Sequence, residues 1–252
     1  MNTSSSHSSV QGKAIIVTGG SRGLGAAIAQ VLGEDGAQLV IADIALERAQ
    51  DRVAALADAS IKALAMSLDV GVEEDVHRVV ATTREKFGRL DAVINNAAID
   101  ITVPIGELST TDWERIVQTN LTGPFLMAKH AAAVMGAKKA DGSGGGHIVN
   151  IASTASKRAW PNASAYHATK WGLLGLSHAL HAELRPQGIK VTAVVAGGMR
   201  TPFLLDRFPD IDPGVLQDPL HVARAVRFVL TQPEETVVPE ITVLPMRETS
   251  WP

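Results

Sequence analysis

The chain alternates short apolar runs with longer segments of helical periodicity. Ala14-Ile15-Ile16-Val17 and Gln38-Leu39-Val40-Ile41-Ala42 are nearly continuous apolar runs, the pattern of strands buried on both faces. Between them, Ala26-Ala27-Ile28-Ala29-Gln30-Val31-Leu32 has helical composition. The rhythm continues with a helix predicted near Leu46–Leu56, a strand near Ala63–Leu68, a helix near Glu73–Phe87 and a strand at Ala92–Asn95. A long helix is predicted over Thr111–Met135, with several N-cap candidates in Ser109-Thr110-Thr111-Asp112. Lys138–Gly146 reads as a glycine-rich loop, His147–Ile151 as a strand, and Ser164–Leu184 as a helix that stops around Pro186-Gln187-Gly188. Lys190–Val195 reads as a further strand. Strict alternation with short connections predicts an α/β fold, a parallel sheet with helices on both faces. Met199–Pro219 breaks the rhythm; it is too long for an ordinary connection and predicts a mobile lid.

Composition narrows the field. The 252 residues are 46% hydrophobic and include 22 glycines, enough for one large core with close helix–sheet packing. A formal net charge of -3 gives no reason to expect nucleic acid or an anionic membrane as partner. No apolar stretch reaches the length of a membrane span. Cysteine is absent, which excludes disulfides and thiolate metal sites and fits a reducing, cytoplasmic location. Met1–Ser9 is polar and serine-rich with no apolar signal core. Residues 1–10 therefore read as a disordered leader before a single domain over 11–252.

Candidate chemistry centres on Tyr166-His167-Ala168-Thr169-Lys170, thirteen residues after Ser153. A tyrosine and a lysine four apart share a helix face, one turn from each other. A phenol titrates near pH 10 and is a poor base at neutrality, but a neighbouring ammonium is expected to lower that pKa into the working range. Ser153 would hold the same substrate oxygen. Taken alone, this spacing is common on ordinary helices. A second signal is Thr18-Gly19-Gly20-Ser21-Arg22-Gly23-Leu24-Gly25, placed between a predicted strand and a predicted helix. In that context glycines let backbone approach a pyrophosphate, and the helix N-terminus presents free N–H groups and a positive dipole end. Asp43 ends the second strand, about twenty residues on, where a ribose-binding carboxylate belongs; the plainer alternative is a solubilising acid at a strand end.

Thr18-Gly19-x-x-x-Gly23-x-Gly25, Asn95-Asn96-Ala97-Ala98, Asn120, Ser153 and Tyr166-x-x-x-Lys170, in this order, resemble the short-chain dehydrogenase/reductase family over about residues 12–244. The resemblance implies a single Rossmann-type, doubly wound domain and hydride transfer between a nicotinamide and a small alcohol or carbonyl substrate. It places the cofactor on Gly19, Ser21, Arg22, Gly23, Leu24 and Gly25, with Asp69 at the adenine amine, Val70 beside it, and Asn96 along the adenosine ribose. It gives Lys170 the nicotinamide ribose, Met199 and Thr201 the carboxamide side, and Asn120 a water that passes protons to Lys170. Asp43 accepts from the ribose hydroxyls of NAD and repels the extra phosphate of NADP. Arg22 pulls towards NADP, as an arginine in this loop occurs in family members that use it. Two alternatives stay open: an NADP-preferring carbonyl or 3-oxoacyl-type reductase, and a catalytically silent dinucleotide-sensing regulator. The intact serine–tyrosine–lysine set argues against the regulator.

Two residues depart from the family pattern: Ala98 stands for the usual glycine, and Ala196 for a proline whose ring would fix the next turn. The end, Ile241–Arg247, resembles the subgroup acting on hydroxy acids and related small alcohols. The substrate pocket is expected from Thr154–Ala165, including Trp160, and from Phe203, Leu204 and Phe208 of the lid. Arg200 and Arg207 in the lid offer a seat for a carboxylate or phosphate. His178, His181 and Glu183 supply too few well-aimed ligands, so no metal site is expected. Apolar residues on Thr111–Met135 and Ser164–Leu184 exceed what one sheet flank needs, and the resemblance implies a homotetramer, or a dimer, through these helices. Gly172 and Ala179 are the small residues expected to admit a second subunit's helix.

Overall fold

In a computed structural model that describes residues 9–136 and 145–247, the apolar runs become the strands of one sheet. β1 (Ala14–Thr18) is buried throughout, as is β2 (Gln38–Asp43) after its first residue. β3 (Ala63–Ser67), β4 (Ala92–Asn95), β5 (Gly146–Ser153), β6 (Ile189–Ala196) and β7 (Glu240–Val243) complete it, in the order β3-β2-β1-β4-β5-β6-β7. Every neighbouring pair is parallel, with registers such as Val17 opposite Ile41 and Ile94.

Alternate strand residues feed two apolar layers, because successive side chains point to opposite faces. Ile15, Val17, Leu39, Ile41 and Val149 pack with α1 (Gly23–Glu34), α2 (Leu46–Asp58) and α8 (Pro219–Leu230). Ile16, Val40, Val93 and Ile148 pack with α3 (Glu73–Phe87), α5 (Gly123–Met135) and the end of α6 (Ser164–Leu184). Val10, which the sequence reading put in the leader, is fully buried in the first layer, so the packed domain already includes it. The leader's first eight residues, most of the predicted loop before β5 (137–144) and the C-terminal tail from 248 lie outside the described residues.

The long helix expected over Thr111–Met135 is not a uniform α-helix. α4 (Thr110–Val117) starts from Ser109, whose hydroxyl accepts from Asp112 N at 3.0 Å. A π turn, Gln118–Thr122, separates it from α5 and carries Asn120 at its centre. Such single-turn bulges frequently sit at functional sites. The segment predicted to be a lid is also structured, with α7 (Pro202–Leu205), a short turn at Pro213–Val215 and a bridge between Met199 and Gln217.

The chain leaves every strand at one rim of the sheet and returns at the other. Strand order reverses between β1 and β4, which opens a crevice at their carboxyl ends, the usual ligand position of such sheets. A buried polar chain braces this region. Asn95 Nδ2 donates to Asn150 Oδ1 (2.8 Å), Asn150 Nδ2 to Ser177 Oγ (2.9 Å), and Ser177 Oγ to Leu173 O (2.6 Å). It pins β4, β5 and α6 together, since breaking it would leave buried polar groups unpaired.

Candidate active site

At the β1/β4 crevice Gly19 and Gly25 pack too closely to their neighbours for a side chain. A Cβ on Gly19, which sits at φ +59°, would lie 3.0 Å from Ala97 Cα; one on Gly25 would lie 2.2 Å from Gly19 O. Thr18 and Asn96 lock the turn: the Thr18 hydroxyl accepts from Asn96 N (3.0 Å) and Ala97 N (3.1 Å). Asn96 Nδ2 donates to Thr18 O (2.9 Å) and Gly19 O (3.0 Å). Asn96 therefore shapes the turn through its amide N–H groups. Arg22 at the start of α1 gives no side-chain cap, and the first turn holds no acid. The free N–H groups and dipole of that helix end suit a pyrophosphate, so the residues present fit a dinucleotide.

Asp43 closes β2 on the same side and is buried. Its carboxylate accepts from Ser21 Oγ (2.5 Å), Ala45 N (3.1 Å) and Arg48 Nη2 (3.4 Å). Asp69 follows β3; its Oδ1 accepts from Gly71 N at 2.9 Å.

The predicted catalytic residues meet at the carboxyl end of β5, against α6. Ser153 is the last residue of β5 and caps a short turn, accepting from Ala155 N at 3.2 Å. Tyr166 and Lys170 lie one turn apart on the buried face of α6. Lys170 Nζ donates to Ile151 O (2.8 Å) and stands 5.6 Å from the Tyr166 ring centre. The phenol faces the pull of the Ser153 hydroxyl, which lowers its pKa. The expectation that Lys170 lowers the Tyr166 pKa is corrected here. Burial pushes the phenol up to about 12, against the opposing pull of the Ser153 hydroxyl. Burial likewise lowers the Lys170 ammonium to about 8. The four-residue spacing foretells proximity but not desolvation, and desolvation is the larger effect.

One cavity of about 920 Å³ runs past all of these groups. Its wall includes Gly19, Arg22, Gly23, Leu24 and Asp43 at one end, then Asp69, Val70 and Asn96. Ser153, Tyr166 and Lys170 follow, with Met199 and Thr201, and then Trp160, Phe203, Leu204 and Phe208. Ser21, Gly25 and Asn120 stand behind the wall.

A family model described as short chain dehydrogenase matches residues 13–212. The chain belongs to the short-chain dehydrogenase family. A cis-4-hydroxycyclohexanecarboxylate dehydrogenase of Sinomonas cyclohexanicum is 35% identical over 232 residues, spanning 88% of this chain and 91% of its own. The crystal structure of a dehydrogenase/reductase from Sinorhizobium meliloti superposes with a TM-score of 0.84 at 30% identity, covering 94% of this chain and 96% of that one. A metagenomic short-chain oxidoreductase in complex with NADP superposes at 0.81 and 28%, covering 95% and 99%.

Within this short-chain dehydrogenase Asn120 does not reach the cleft, and its hydrogen bonds do not go to Lys170. Its side chain accepts from Ile99 N (2.8 Å) and donates to Ile99 O (2.8 Å) and to Thr169 Oγ1 (3.2 Å). It thus ties the segment after β4 to α6, beside Lys170. The turn that Ala196 was expected to loosen is held by other means. Gly197 N donates to Val243 O (2.9 Å), Gln217 N to Gly198 O (3.1 Å) and Gln217 Nε2 to Val243 O (3.1 Å).

Two residues of the dehydrogenase escaped the sequence reading. Asp100, nearly sequestered, pairs with Arg207 on the cavity wall; the signal was an acid directly after Asn95-Asn96-Ala97-Ala98-Ile99. His167 staples the segment after Ser153: Nδ1 faces Ala155 O (3.0 Å) while Nε2 accepts from Trp160 N (3.1 Å). Its place beside Tyr166 was the only hint. Among the described residues no helix is long and apolar enough to cross a membrane, and no group of three or more potential ligands could hold a metal.

Proposed function

We propose that this dehydrogenase interconverts a secondary alcohol and a ketone by hydride transfer with NAD(H), with Tyr166 as the general acid/base. The reading rests on one convergence: Ser153, Tyr166 and Lys170 share a cavity wall with the glycine segment and Asp43. Bound NAD(H) supplies the hydride donor or acceptor. In ketone reduction the phenol, kept protonated at neutrality by burial, donates to the carbonyl oxygen while Ser153 holds that oxygen. In alcohol oxidation the Tyr166 phenolate takes the hydroxyl proton; burial makes that phenolate a strong base that forms at a cost. Asn120 acts by position, through Ile99 and Thr169. Residues 199–219 form the substrate lid.

The cofactor is assigned to NAD because Asp43 stands where a 2′-phosphate would have to go. The pyrophosphate lies on Gly19–Gly25, the adenosine along Asp69, Val70 and Asn96, and the nicotinamide towards Met199, Thr201 and Lys170. NADP is the second reading, favoured by Arg48 beside Asp43 and by the neighbour that holds NADP. That the relative from Sinomonas cyclohexanicum is named for a secondary alcohol substrate supports the reaction class. The cytoplasm and a homotetramer built on α4–α5 and α6 complete the reading; Trp113, Phe125 and Trp171 are exposed on those helices.

Steady-state assays following nicotinamide absorbance, with NADH and NADPH against a panel of ketones and alcohols, test it. Turnover should be faster with NADH and fall at least about a hundredfold in Tyr166→Phe, with NADH binding retained. Dinucleotide binding without turnover on any substrate would instead favour the regulator.

A further inference from the structure

We infer that the substrate carries a carboxylate that docks on Arg207, apart from the oxygen that reacts at Tyr166. The inference deepens the proposed reaction and rests on it. Of the two lid arginines, Arg200 is engaged elsewhere. Its Nη1 donates to Leu216 O (2.6 Å), its Nη2 faces Asp218 (3.7 Å), and it is not on the cavity wall. Arg207 is on the wall, with its side chain 21% exposed.

Its guanidinium is held from several sides. Nε donates to Phe203 O (2.8 Å), while Nη1 pairs with Asp100 and reaches Thr102 Oγ1 (3.4 Å). The plane packs 4.2 Å from the Phe203 ring centre and 5.4 Å from that of Phe208. Among the described residues Nη2 has no partner, so its two N–H groups remain for a ligand. Asp100 is only 5% exposed on its side chain, and its Oδ1 has no hydrogen bond. Such a buried pair adds little stability over an apolar contact, but it fixes the guanidinium in place on the cavity wall. A ligand with no acceptor closing over Nη2 would leave its donors unpaired, at a cost. A carboxylate pairs with them in an apolar pocket where charge-assisted bonds are strong.

Geometry also bears on the length. Tyr166 and Arg207 both pack against Phe203, whose ring centre is 5.9 Å from that of the phenol and 4.2 Å from the guanidinium. A ring or short chain between the two groups fits.

The test uses the NADH-loaded protein. Calorimetric titration with cyclohexanecarboxylate and with its neutral isostere cyclohexanecarboxamide reads binding without turnover. Turnover is read with 4-oxocyclohexanecarboxylate, its methyl ester and the short oxo acid pyruvate. Wild type should bind the carboxylate at least about tenfold more tightly than the amide, and should prefer the oxo acid to its ester by a similar factor in kcat/KM, with pyruvate poorest. Arg207→Met alone strands a buried carboxylate, so the variant of choice is the double Asp100→Asn/Arg207→Met, in which both preferences should vanish. If the double variant does not fold, Arg207→Lys decides, with both preferences reduced several-fold. Equal binding of acid and amide by wild type, or a preference that survives the variants, overturns the inference. Tight carboxylate binding without turnover of acid, ester or neutral ketones supports the seat and counts against the proposed reaction.

Discussion

Asn120 and Ile99 hold each other through two hydrogen bonds: Oδ1 accepts the Ile99 N–H and Nδ2 donates to the Ile99 carbonyl, both at 2.8 Å. A side-chain amide in a π turn thus serves as the strand partner that the segment after β4 otherwise lacks. Asp100 is the next residue, so its placement in the cleft is set from here. Asn120→Asp keeps size and one acceptor but turns a carboxylate oxygen onto a carbonyl. It should cost about 1–3 kcal/mol of stability, read as a lower Tm, with activity reduced as well. An unchanged Tm would mean that this pairing contributes nothing.

Lys170 carries a pH signature. Its folded pKa is about 8 against 10.5 for the free side chain, so between those values the unfolded chain binds more protons than the folded one. Stability of the cofactor-free protein should therefore rise with pH through that window, by on the order of 3 kcal/mol. Lys170→Met should remove this slope, raise the Tm at neutral pH and abolish turnover. Denaturant unfolding at several pH values checks it, kept below pH 10, where Tyr166 begins to act in the opposite sense. Its folded pKa of about 12 lies above 10.0, so its contribution is lost as pH rises past 10.

Cofactor choice should follow Asp43. Replacing it in Asp43→Ser removes the carboxylate from the proposed 2′ region and releases Arg48 to meet a phosphate. The ratio of NADPH to NADH efficiency should rise at least about tenfold. A ratio that does not move would show that the carboxylate does not govern the choice.

Assembly should depend on the open face of α6. A Cβ on Gly175 would meet nothing within 4 Å, and Ala179 is exposed one turn on. Ala179→Glu should shift a tetramer towards dimers or monomers in light scattering and reduce activity. A fully active monomer of the unaltered chain at micromolar concentration would sink the assembly proposal.

Much of this was legible in the sequence, and the exceptions have physical causes. The strands and α6 announce themselves because burial on both faces, or on one helical stripe, dictates which residue types can stand there. The π turn does not, since one extra residue in a helix leaves the apolar pattern nearly intact and only Asn120 marks it. Which small residue of α6 is open depends on packing: a Cβ on Gly172 would meet Leu121 of the same chain at 3.1 Å, so Gly175 is the exposed one. Arg200 and Arg207 are equivalent as text, and only the path of the lid separates them. The Tyr166 pKa is the clearest case, because its sign is set by water exclusion, which spacing does not encode.

The all-parallel sheet described above also separates what this protein must preserve from what it is free to vary. Every segment that reaches the cleft leaves the carboxyl end of a strand, whereas the returns at the opposite rim, such as Asp35–Ala37, Ser60–Lys62 and Arg185–Gly188, stay off the cavity wall. Selection can therefore rewrite specificity one connection at a time without renegotiating the core. The far rim is where fusion partners, labels or surface attachments can be joined at the least cost to chemistry.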